Sequence, residues 1–61
     1  MSAENAAYAE GRRILKELRL LQDEVVGIDA SDTQTKERAL ALLRETREKL
    51  GEALTVLAGL V

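Results

Sequence analysis

An all-α fold, an antiparallel two-helix hairpin completed to a helical bundle by association, is what three features of this sequence predict. Its 61 residues include no proline, and Ala, Leu, Glu, Arg and Lys dominate, which is the composition of long helices. Two stretches repeat apolar residues with alternating gaps of three and four, the spacing that aligns side chains along one stripe of a helix. Between the stretches lies a short run rich in Gly, Asp and Ser, residues that favour turns. The chain is therefore expected to be a single hairpin, with a helix over about 3–26, a turn over 27–31 and a helix over about 32–58.

The first helix starts where Ser2 supplies a hydroxyl cap and Glu4 an acidic first turn. Its seam reads Ala7, Gly11, Ile14, Leu18, Leu21, Val25 and Ile28, with Tyr8 and Leu15 widening one edge. Glu10, Glu17 and Glu24 repeat every seven residues along the other edge, leaving a narrow apolar stripe with an acidic margin. Gly27 is placed to end the helix, since glycine accepts the left-handed conformation common at that position.

Asp29, Ser31, Asp32 and Thr33 follow, all able to bond nearby backbone through short side chains. Ser31 and Gln34 have the spacing of a capping box, which sets the start of the second helix at Asp32 or Thr33. So short a connection makes the helices antiparallel.

The second helix carries Leu40, Leu43, Arg47, Leu50, Leu54, Leu57 and Val61 on one stripe and Leu42, Thr46, Ala53, Val56 and Leu60 beside it. Together they cover about 160° of the circumference at 100° per residue, whereas one neighbour needs about 100°. The surplus marks a protein-binding surface, with Leu42, Leu50, Leu54, Val56, Leu57 and Leu60 as its candidate residues. Arg47 interrupts the stripe; it must lift its head to solvent or find a carboxylate, and it is a candidate for fixing register or partner choice. Turning near Ala30 pairs Leu21 with Leu40, Leu18 with Leu43, Ile14 with Arg47, Gly11 with Leu50 and Ala7 with Leu54. Gly51 costs about 1 kcal/mol in a helix interior, and close approach of Tyr8 or a partner backbone is the expected reason for it.

A chain this short gains little more from burial than ordering costs it, and small proteins escape through disulfides, metals or association. Cysteine and histidine are both absent, which removes disulfides and the usual zinc ligands. Association remains, with a helical protein or with a second copy as partner. No apolar run approaches the ~20 residues of a membrane span, and no secretory signal is evident. The lack of cysteine suits a reducing cytoplasm.

Catalysis finds no histidine base or cysteine nucleophile, and Ser2 and Ser31 sit where caps are needed. Glu45, Glu48 and Glu52 share a helical face, but helical di-iron sites pair Glu with His, so no metal or other cofactor is expected. Arg12, Lys16 and Arg19 form a basic row that is a candidate nucleic-acid contact. Against it stand the net charge of −2, the lack of a stacking aromatic, and neutralising partners four residues on, Asp23 for Arg19 and Glu17 for Arg13.

Two known groups share this outline. Lys49-Leu50-Gly51-Glu52-Ala53-Leu54-Thr55-Val56-Leu57 resembles the leucine, small-residue and aliphatic pattern of the small type III secretion needle co-chaperones of the YscE and PscE type. That resemblance covers about a third of the chain and implies a hairpin that helps a larger chaperone hold a needle subunit. Ile28-Asp29-Ala30-Ser31 resembles the turn of the Rop-type RNA-binding hairpins, which implies a homodimeric four-helix bundle. Sequence alone does not separate the co-chaperone reading from a small phage-type inhibitor that masks a host protein.

Overall fold

The computed structural model describes residues 2–60. The Ser2 hydroxyl accepts from the Asn5 backbone N–H at 3.1 Å, satisfying a first-turn donor that has no partner inside the helix. From this cap helix α1 runs Ala3–Val26. It closes at Gly27 with φ of −78°, in the right-handed region, so the left-handed closure expected there is not used. The Gly27 N–H reaches the carbonyls of Asp23 and Glu24, and the Ile28 N–H reaches Val25 at 3.1 Å. This tightened last turn absorbs the end of the helix without a positive φ.

Helix α2, Thr33–Ala58, is capped by Asp32 rather than Ser31. The carboxylate accepts from the Thr35 N–H at 3.2 Å and the Thr35 hydroxyl at 2.6 Å. A full negative charge at the positive end of a helix outcompetes a neutral hydroxyl, which explains the one-residue displacement. The Thr35 hydroxyl and then its N–H hold the Asp32 carboxyl below the usual range. Lys36 reaches back to donate to the carbonyls of Val26 at 2.8 Å and Ile28 at 2.7 Å, closing the negative end of α1 with a cation.

The two helices pack side by side in a hairpin 47 Å long. On α2 the inward row is Leu40, Leu43, Arg47, Leu50, Leu54 and Leu57, each buried or half-buried. Val61, the last member of the predicted row, lies outside the described residues. On α1 the inward row is Tyr8, Gly11, Leu15, Leu18, Gln22 and Val25, rotated from the predicted seam. Ala7, Ile14, Leu21 and Ile28 are exposed instead.

The register also differs from the count made around Ala30. Leu54 lies against Gly11, not Ala7, and Arg47 meets Gln22, not Ile14. Side chains lean toward the N-terminus of their own helix. In antiparallel neighbours the two leanings are opposed, so contacting residues lie farther along both chains than level backbones suggest. Gly11 fits this register: a Cβ there would stand 2.4 Å from Leu54 Cδ2, so any larger residue requires that methyl to shift. Leu54, 5 % exposed, is the one buried apolar side chain among the described residues.

Candidate functional site

Between the exposed apolar residues and the inward rows there is a simple angular relation. At 100° per residue, Ala7, Ile14 and Leu21 flank the inward row of α1 in one rotational sense, with Ile28 just past its end. Ala39, Thr46 and Ala53 flank that of α2 in the same sense, with Leu60 just past its end and Leu42 and Val56 farther round toward the outer edge. Antiparallel helices are related by an approximate twofold axis perpendicular to their common plane, so flanks of equal sense fall on one side of the hairpin. A single apolar face therefore runs along both helices. Near the turn, a hollow on this side is lined by Val25, Ile28, Thr35 and Ala39, with contributions from each helix. The opposite side is polar, with Leu15, Arg44, Arg47 and Glu48 lining a groove there.

On the apolar face Leu21 and Leu60 are 44 % and 66 % exposed, and along its α2 edge Leu42 and Val56 are 55 % and 67 % exposed. Leu42, Val56 and Leu60, which the sequence offers as binding residues, are thus exposed. Leu54 does not, being enclosed against Gly11, and Leu50 and Leu57 are half-buried between the helices. Ile14, Leu21 and Ile28 belong to the face although the sequence placed them in the hairpin seam. The signal was present in their spacing of seven, but only the rotation of α1 distinguishes a seam from its flank.

Arg47 neither snorkels free nor meets a carboxylate. Its Nη1 donates to Gln22 Oε1 at 2.6 Å across the helix pair, while its buried Nε has no partner. An uncompensated N–H in a half-buried position is destabilising, so this pairing favours a particular register more than it favours stability. Gly51 has nothing within 4 Å of the position its Cβ would take, so Tyr8 does not approach it.

The acidic margin of α1 flanks the apolar face. Arg13 bridges two of its carboxylates, pairing with both Glu10 and Glu17. Its hydrogen bond and its charge hold the Glu10 carboxyl below the usual range. On α2, Lys49 lies 3.2 Å from Glu45. Arg12, Lys16 and Arg19 line a groove on α1 away from the apolar face, together with Leu15, Leu20 and Asp23. The expected Arg19–Asp23 pair does not form, so none of these three cations has an ion-pair partner among the described residues.

Among the described residues no group of three or more metal-ligating side chains converges, and no helix is long and apolar enough to cross a membrane. Comparison with family models, curated proteins and solved structures finds no match for this chain.

Proposed function

We propose that this chain is a non-enzymatic, cytoplasmic protein-binding hairpin, an adaptor or co-chaperone whose apolar face docks on helical protein. The observation carrying this reading is the open apolar face of Ile14, Leu21, Ile28 and Leu60, with Leu42 and Val56 exposed along its edge. An apolar strip along both helices matches a partner built of helices, whose ridges fit the groove between them. The finer reading, a type III secretion needle co-chaperone, rests on the resemblance of Lys49 to Leu57 and adds a larger helical chaperone as the partner.

The test is to isolate the tagged chain from its native cell beside Leu21→Glu and Leu42→Glu variants. A stoichiometric helical partner held by the parent and lost from both variants supports docking. Equal recovery with the charged variants removes the face from the interaction.

A second reading is favoured by the unpaired row Arg12, Lys16 and Arg19, which leaves three cations open to phosphates. On this reading the hairpin is a Rop-type regulator that binds RNA through that row. Salt-sensitive RNA binding, lost when the three are neutralised, supports it; indifference to RNA at low salt removes it.

A further inference from the structure

We infer that the apolar face is covered by a second copy of this chain, related by a twofold axis running along the helices, so that both turns lie at one end of a four-helix bundle. The inference rests on the docking reading and names the partner of that same face.

Area is the first ground. The hairpin exposes 4776 Å², whereas a compact monomer of its mass exposes about 3,900 Å². The excess, roughly 900 Å², is close to the ~800 Å² that each partner contributes to a standard stable interface.

Side-chain size is the second. With the axis along the helices, α1 of one copy lies against α2 of the other, antiparallel and at the heights already present within each hairpin. The contacts Gly11–Leu54 and Gln22–Arg47 bracket that register. Midway between them, Ile14 is level with the partner's Ala53, Leu21 with the partner's Thr46, and Ala7 with the partner's Leu60. Each pair sets a large side chain against a small one, the alternation that lets facing layers interlock. An axis perpendicular to the helices instead faces α1 with α1, placing large side chains against large ones, as Ile14 against the partner's Leu21.

Charge is the third ground. Glu10, Glu17 and Glu24 edge the face on α1, and Leu42, Lys49 and Val56 hold the equivalent edge on α2. The axis along the helices brings the acidic edge against this one, with Glu17 level with the partner's Lys49 and no carboxylate row opposite. The perpendicular axis sets the acidic row against itself, a repulsive arrangement.

Sedimentation equilibrium on the purified chain should give twice 6.7 kDa, and Leu21→Glu should raise the dissociation constant at least a hundredfold. Glu17→Lys should weaken the dimer about tenfold, and Lys49→Glu added to it should restore most of that loss. Because the chain has no cysteine, spin labels on Ser31→Cys report one distance between turns. A distance no greater than a bundle's width supports the axis along the helices. One approaching the 47 Å length of the hairpin overturns it, since the turns then lie at opposite ends. A single-chain mass at every concentration overturns self-association while leaving docking to a different protein to be decided by the native-cell isolation. A trimer or larger assembly also overturns the inference.

Discussion

Gly11→Ala is the substitution whose sign depends most directly on the packing between the helices. In an unobstructed helix interior, alanine is worth about 1 kcal/mol over glycine. Here the added Cβ would stand 2.4 Å from Leu54 Cδ2 and 3.4 Å from its Cγ, against a comfortable carbon–carbon separation of about 3.5–4.0 Å. The methyl must retreat by more than an ångström, and overpacking of this kind costs about 1–3 kcal/mol. The net effect is then a loss of about 0–2 kcal/mol. With Leu54→Ala as background the obstruction is gone, and the same substitution should gain about 1 kcal/mol. The reversal amounts to a coupling of about 1–3 kcal/mol between residues 43 positions apart in sequence. Urea unfolding of the four variants, followed by far-ultraviolet circular dichroism at one fixed protein concentration, measures it, since association would otherwise shift apparent stability. Should Leu54→Ala leave too little folded chain, the cycle can be read in a Gly51→Ala background. An equal gain from Gly11→Ala in both backgrounds would refute the contact and with it the register of the hairpin.

Three further outcomes follow from the same geometry. Gly51→Ala meets no atom within 4 Å, so the helix preference acts unopposed: the thermal midpoint should rise by about 4–8 °C, and a fall would reveal a close neighbour at Gly51. Arg47→Leu removes a buried Nε without a partner and leaves Gln22 close enough to solvent to rehydrate, so stability should rise by about 1 kcal/mol. If Arg47 also selects register, light scattering of this variant should show assemblies absent from the parent; one unchanged assembly state would count against that role. Asp32 and Glu10 have folded carboxyls that hold their protons less tightly than in the unfolded chain, so their contribution is present above the ordinary carboxylate values of about 4 and is lost as pH falls below them. The thermal midpoint should stay level from about pH 5 to 7, because the chain has no histidine, and decline under more acid conditions. Asp32→Asn should shrink that decline.

The exposed apolar face could be located in the sequence only in part. Leu42, Val56 and Leu60 stood out because α2 carries more apolar circumference than one neighbour can cover. Ile14, Leu21 and Ile28 were hidden because a narrow stripe on α1 satisfies one neighbour or half-satisfies two, and hydrophobic spacing does not distinguish these cases. The seam predicted for α1 points between α2 and the open side, as a stripe serving both directions would.

What the sequence determined by itself was the local order: Ser2 opens α1, the run after Val26 cannot continue it, and alternating gaps of three and four make both segments amphipathic helices. Those are properties of neighbouring residues and of a fixed helical period, so no distant contact is needed to see them. The tertiary structure decided rotation and register: which flank of α1 turns inward, that Leu54 fills the space above Gly11, and that Arg47 finds an amide rather than a carboxylate. These depend on the lean of side chains and the fit of a single methyl across the helix pair, quantities that have no counterpart in the spacing of residues along one chain.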